Sequence, residues 1–289
     1  MSDTMNIPIT INSINSTVTN NNRYEYRIPG NLTLRNSEVS LIKGFIFNSM
    51  FNVSKTYFDN DQFRYAYPDG AGMTTRTLTL RSGYYDVNRL NQYMHESMDT
   101  HGEYLLAADG ITKIYYLNLN ENLVYYANTV TAIPVPTAAE MAALGYSQPV
   151  GAPALPPVAT TPQLIILNNK FGKLIGYAPG SYPAVPLAAL YEAIGTIPAQ
   201  INPQYAFNIC LSMTNTPLVN SVPNSIFPFS FTVPFLGQQV LDPFQYQYYP
   251  CLDGSYKSII VSIMDQENRY AVLNDPDFQV TVNFRTMKN

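Results

Sequence analysis

The chain has no tryptophan, two histidines, two cysteines and only 12% charged residues over its 289 positions. Each scarcity closes off a class of function. Two cysteines are too few for a disulfide framework. Cys210 falls on the polar side of a predicted strand and Cys251 in a loop at 250–254; the two can meet, but they are read as separate free thiols. His95 is followed by Glu96, yet Asp99 stands where a zinc-protease helix needs its second histidine. His101 would face another side of a continuing helix, so the pair makes no metal clamp and both are read as solvated helix-face residues. With so few histidines and no G-x-S-x-G turn, no nucleophile–histidine device is marked.

The net charge of -4 leaves no footprint for nucleic acid or an anionic membrane. Sparse charge also means that copies repel one another weakly, which favours assembly. No apolar run reaches the length of a membrane span. Residues 1–24 lack a basic start and an apolar core, so a secretory signal is not expected, and the N-x-S/T triplets at Asn15, Asn31 and Asn52 are read as carrying no glycan.

What is present is alternation. Tyr205, Phe207, Ile209, Leu211 and Met213 alternate with Ala206, Asn208, Cys210 and Ser212; Phe227, Phe229, Phe231, Val233 and Phe235 alternate with Pro228, Ser230, Thr232 and Pro234. Phe278, Val280, Val282 and Phe284 repeat the pattern, as do Phe63, Tyr65 and Tyr67, and Leu78 and Leu80. Side chains on a strand point to opposite faces in turn, so these runs predict strands with one buried and one wet face, the mark of antiparallel sheets. The fold class is therefore mainly all-β. With 23 Tyr, 14 Phe and 22 Pro, the composition fits strands joined by many irregular connections.

Strands are expected near 24–28, 38–47, 62–67, 74–81, 104–107, 111–119, 123–127, 163–166, 205–213, 227–235, 257–264 and 278–285. One helix is clear: Asp86 caps it, Val87, Leu90, Met94 and Met98 share a face, and Gly102 ends it. The stretch 129–162 is rich in Pro and Ala, with Glu140 its only charge; a short helix at 137–144 carries Thr137 and Glu140 as a capping box, and the rest reads as a long loop. Pro179-Gly180 suits a type II turn. Within residues 1–22, Ile7, Ile9 and Ile11 alternate with Pro8 and Thr10, which fits either an arm adding a strand to a neighbour or a frayed terminus.

Other motifs fail on inspection. Gly172-Lys173 lacks the remainder of a P-loop. Gly70-Ala71-Gly72 lacks the third glycine of a dinucleotide fingerprint. Asp59 and Asp61 resemble the start of a calcium loop, but Phe63 occupies a ligand position, so a turn is expected. Asp265, Glu267, Asp275 and Asp277 could pair as glycosidase carboxylates, but they flank strands and read instead as a connection pinned by an Asp–Arg269 bond. No cofactor, metal site or enzymatic activity is expected.

Four segments, in order between about residues 75 and 285, together resemble the penton (minor capsid) proteins of virophages and polinton-like viruses. They are Leu80-Arg81-Ser82-Gly83-Tyr84-Tyr85-Asp86-Val87-Asn88-Arg89-Leu90-Asn91; Phe171-Gly172-Lys173-Leu174-Ile175-Gly176 with Pro179-Gly180-Ser181-Tyr182-Pro183; Met264-Asp265-Gln266-Glu267-Asn268-Arg269; and Leu273-Asn274-Asp275-Pro276-Asp277. The resemblance implies a single jelly-roll β-sandwich with an inserted, smaller, loop-rich α+β domain. It implies a homopentamer at the vertices of an icosahedral virion, beside a double-jelly-roll major capsid protein and assembled in the host cytoplasm or a viral factory. The expected division is an arm at 1–22, a jelly roll at 23–81 and 201–289, and an insertion at 82–200 that could meet a host receptor. Gly172, Gly176, Pro179, Gly180, Asp265 and Arg269 are the candidate structural motif, and Ile7, Ile9 and Ile11 the candidate capsid-contact arm. The alternative is a carbohydrate- or receptor-binding β-sandwich, with Tyr serving where Trp is absent.

Overall fold

A computed structural model describes residues 6–122, 124, 127–214 and 224–286. The chain forms two compact units, the first made of Met1–Phe51 with Gln204–Asn289 and the second of Asn52–Pro203.

The first unit begins with strands β1 (Asn6–Asn12), β2 (Ser16–Thr19), β3 (Arg23–Leu34) and β4 (Ser37–Phe47). The second unit follows with β5 (Gln62–Asp69), β6 (Gly72–Thr79), helix α1 (Val87–His101), β7 (Leu105–Leu106), β8 (Lys113–Ile114), β9 (Leu117–Asn122), β10 (Ala127–Ala132), α2 (Ala138–Ala143), β11 (Gln163–Ile166), α3 (Asn169–Ile175), β12 (Gly180–Tyr182) and β13 (Tyr191–Ile194). The chain then returns to the first unit as β14 (Phe207–Leu211), β15 (Ser225–Phe229), β16 (Gln238–Leu241), β17 (Tyr249–Pro250), β18 (Gly254–Asp265) and β19 (Phe278–Thr286).

In unit one, one sheet runs β1-β19-β4-β16 and the other β15-β14-β18-β3-β2. Numbering the principal strands β1, β3, β4, β14, β15, β16, β18 and β19 from one to eight, the sheets read 1-8-3-6 and 5-4-7-2. That is the doubled Greek-key order of a jelly roll, and the second unit is spliced between its third and fourth strands. The alternating side chains explain the two layers. Phe278, Val280, Val282 and Phe284 of β19 turn inward to meet Ile259, Val261 and Ile263 of β18 and Phe207, Ile209 and Leu211 of β14, all essentially without solvent contact. Burial of this kind contributes roughly 1.5–3 kcal/mol for each large apolar side chain.

Two expectations change within this unit. The strand expected at 227–235 forms a ladder only over Ser225–Phe229, ending where its partner β14 begins at Phe207, and a bulge that shifts the register between Ile209 and Cys210 sends Ile226 into the core. Tyr205, expected inside a strand, precedes β14 and is mostly exposed.

Unit two has its own core. Val87, Leu90, Met94 and Met98 form the buried face of α1, and they share a cluster with Phe63, Tyr65 and Tyr67 of β5 and with Phe171, Leu174 and Ile175 of α3. Phe63 and Phe171 stack at 4.8 Å. Asp86 accepts the Arg89 N–H at the helix start, and Gly102 closes the end at φ 66. Thr137 and Glu140 form the reciprocal capping box of α2. This core shifts the boundary that the sequence placed at 82. Strands β5 and β6 bury their side chains with α1 and α3, so they belong to unit two, and the division falls at Asn52. The short helix expected at 137–144 is α2, but the loop expected around it is shorter than expected, because β10 runs to Ala132 and bridges pin Leu106 to Ser147 and Val135 to Thr160. The strand expected at 123–127 falls largely outside the described residues.

Candidate assembly surface

Unit one presents two flanks. On one, β1 and β2 edge the two sheets and are joined by the turn at 13–15; on the other, β15 edges one sheet while β16 and β17 edge the other. An open edge is a template for strand addition unless it is blunted. Here β1 carries Pro8, β15 carries Pro228 and β17 carries Pro250, each exposed, and proline has no N–H to donate.

The candidate contact arm is part of this scaffold. Ile7, Ile9 and Ile11 pair in register with Phe284, Val282 and Val280 of β19 in the same chain, and Ile11 is fully buried. Their alternation was read correctly as a strand, but the strand is the edge of its own sheet. The turn beyond it is tightly built. Asn12 Oδ1 accepts the N–H groups of Ile14 at 3.0 Å and Asn15 at 2.8 Å, and Asn15 Oδ1 accepts the Asn12 N–H at 2.8 Å. Ser13 donates its N–H to the Phe278 carbonyl at 3.1 Å. At the tip, Ile14 is 93% exposed.

The opposite flank is interrupted. β16 pairs with Gly44 to Phe47 of β4 and β17 with Glu38 and Val39, so among the described residues no strand covers residues 40–43 on that side. The intervening segment 242–248 arches outward and leaves a hollow of about 170 Å³, lined by Leu41, Phe227, Pro228, Pro243 and Phe244 among others. Phe244 is 99% exposed. From residue 224 to 252 the only charged residue is Asp242. A stretch so poor in charge has the composition of an interface core.

Asp265 and Arg269 close the turn after β18. The Arg269 guanidinium lies 2.9 Å from Asp265 Oδ2, Gln204 donates to the same oxygen at 2.8 Å, and the N–H groups of Glu267 and Arg269 reach Oδ1 at 2.8 and 2.9 Å. The other acids near it are also engaged in turns: Asp275 accepts the Asp277 N–H at 2.8 Å, and Asp277 accepts from Ser13 Oγ at 3.4 Å. Among the described residues no group of three or more His, Cys, Asp or Glu side chains could hold a metal ion, and no helix is long and apolar enough to cross a membrane.

The glycines of the other motif act in unit two. Gly172 lies against the Tyr177 carbonyl, where a side chain would collide. Gly176 ends α3 at φ 87, and Gly180 opens β12 at φ 152. That angle is far from the φ near +80° of a type II turn, so Pro179-Gly180 is an entry into a strand rather than the expected turn. His95, expected in solvent, is half-buried and stacks on Tyr115 at 3.8 Å; burial pushes its pKa below the ordinary imidazole value. His101 Nδ1 lies 2.7 Å from the Ser97 carbonyl oxygen on its own helix. Cys210 and Cys251 are both free and buried.

Sequence reasoning missed Ile14 and Phe244. Ile14 stands alone between Ser13 and Asn15, and Phe244 lies between Pro243 and Gln245, which is the signal each leaves in the sequence.

No protein-family model matches the chain, and no curated protein matches it. Solved structures do. The chain is similar to the mavirus penton protein at 9% identity and a TM-score of 0.45, covering 98% of this chain and 99% of that one. It is similar to a chain in the cryo-EM structure of the Sputnik virophage at 11% identity and a TM-score of 0.38, covering 98% of each. The jelly-roll assignment itself rests on the strand order of unit one.

Proposed function

We propose that this chain is a structural virion protein that forms the pentameric capsomer at the vertices of an icosahedral capsid. The observation that carries the reading is the jelly-roll strand order of unit one, interrupted between its third and fourth strands by a second domain. The four motif segments support it, as does a surface with little charge to hold copies apart. In this reading the mechanism is heterologous, ring-closing association, in which one flank of each copy meets a different flank of the next. Burial of Tyr, Phe and Met drives closure, and hydrogen bonds from Asn, Ser and Thr set the register. The double-jelly-roll major capsid protein is the neighbour in the shell, the inserted unit is free to meet a host receptor, and assembly takes place in the host cytoplasm or a viral factory.

Native mass measurement of the purified full chain tests the ring. The expected species is an assembly of five chains in exchange with single chains. A closed assembly of another number, or single chains at every concentration up to millimolar, would count against a vertex capsomer.

A further inference from the structure

The two flanks of unit one carry a projection and a depression of matching size and chemistry. The projection is Ile14, 93% exposed at the tip of a turn that Asn12 and Asn15 hold rigid from both sides. The depression is the hollow of about 170 Å³ beside the uncovered residues 40–43 of β4, walled mainly by Leu41, Phe227, Pro228, Pro243 and Phe244, with Ser40, Gln245 and Gln247 also lining it. An apolar cavity near 150 Å³ accepts a benzene-sized group, so an isoleucine side chain fits.

We infer that Ile14 of one copy inserts into the Phe244 hollow of the next, and that this knob-and-hole contact is what joins copies of the jelly roll into a ring. Three observations favour a second copy over any other occupant. The knob and the hole lie on opposite flanks of the same sandwich, the placement that a head-to-tail contact requires. The exposed prolines of β1, β15 and β17 blunt three of the edge strands against strand addition, which favours contact through side chains there. The hollow has no charged lining residue and six of its nine lining residues are apolar, so it accepts an apolar guest, and Ile14 is an apolar side chain on a turn whose backbone is already held in place.

The inference rests on the ring proposed above, and the test separates the two. Ile14→Asp spoils the knob and Phe244→Asp spoils the hole; both side chains face solvent, so the fold should survive, and Ile14→Ala and Phe244→Ala provide a milder second pair. Sedimentation of each full-length variant should show association weakened at least roughly tenfold. Mixing the two Asp variants should restore one intact contact per pair, giving one-to-one dimers but no rings. Rings of unchanged strength in either variant, or weakened variants whose mixture stays unpaired, would overturn the contact and leave the ring reading intact. A wild-type chain that never associates would sink both.

Discussion

Glu103 and Arg76 meet at 2.9 Å in unit two, with the carboxylate wholly out of solvent. The second carboxylate oxygen accepts the Tyr65 hydroxyl at 2.5 Å, and that hydroxyl also lies 3.1 Å from Ser97 Oγ. Burial first, and then the bond to Glu103, push the Tyr65 phenol above its ordinary pKa and keep it a donor. Removing one partner of a buried pair leaves an uncompensated charge. Arg76→Ala should therefore lower the stability of unit two by about 3 kcal/mol in urea unfolding, whereas the paired replacement Arg76→Met with Glu103→Leu should recover most of the loss. A loss for Arg76→Ala below about 1 kcal/mol would mean the pair is no stronger than a surface ion pair.

Asp265 ties unit one to pH. Burial alone would raise its pKa, but the Arg269 N–H, the Gln204 amide, the Glu267 N–H and the Arg269 guanidinium together hold it below the usual carboxylate range. A folded value below the unfolded one, near ~3.9, means its stabilisation is complete above that pH and disappears as pH falls through the folded value. Asp265→Asn should cost about 2 kcal/mol at neutral pH, with the difference from wild type shrinking as the solution is acidified. Thermal melts across the acid range read this directly, and a cost that stays constant with pH would contradict it.

Gly172 and Gly176 have different reasons to be glycine. A methyl on Gly172 meets the Tyr177 carbonyl oxygen, which is backbone and cannot swing aside. Gly172→Ala should lower stability by about 2–4 kcal/mol. Gly176 ends α3 at φ 87, where alanine is strained, and a Cβ there would also crowd the Ile197 carbonyl. Gly176→Ala should cost about 1 kcal/mol or more. Chemical denaturation of the two variants ranks them, and a neutral Gly172→Ala would show that the close approach is soft.

Both thiols should be silent in the native protein. Burial pushes Cys210 up to about 12, and burial, then the charge of Glu38, does the same for Cys251. The thiolate is the reactive form, so a thiol-specific colorimetric reagent at mildly alkaline pH should find almost none until urea is added, and then two per chain. Rapid modification of the folded protein would show that one of these sites opens locally.

Much of this architecture was legible because its signals are local. Asp86 with Val87, Leu90, Met94 and Met98 announces α1, and Thr137 with Glu140 announces α2. The alternation around Ile209, Val261 and Val280 marks inward-facing strands. What failed to show depends on partners far along the chain. Ile7, Ile9 and Ile11 read as a strand, but nothing near them names β19 as its partner. The bulge that turns Ile226 inward leaves no trace in a run that alternates through Phe227 and Phe229. Helix α3 was missed because it spans seven residues and holds a central glycine; its signal was Asn168 as a cap, whose side chain accepts the N–H groups of Lys170 and Phe171, ahead of Phe171, Leu174 and Ile175. Glu103 gave no hint of burial, since its neutralising partners lie on β5 and β6.

The splice between the third and fourth strands also sets an order of birth. β1 finds its partner only in β19, β3 waits for β18, and β4 waits for β16, β17 and β19. On a ribosome the first four strands emerge with only the β2–β3 hairpin paired among themselves, and stay unsealed while the whole of Asn52–Pro203 is made and collapses. The sandwich is thus the first part of the molecule to be begun and the last to close.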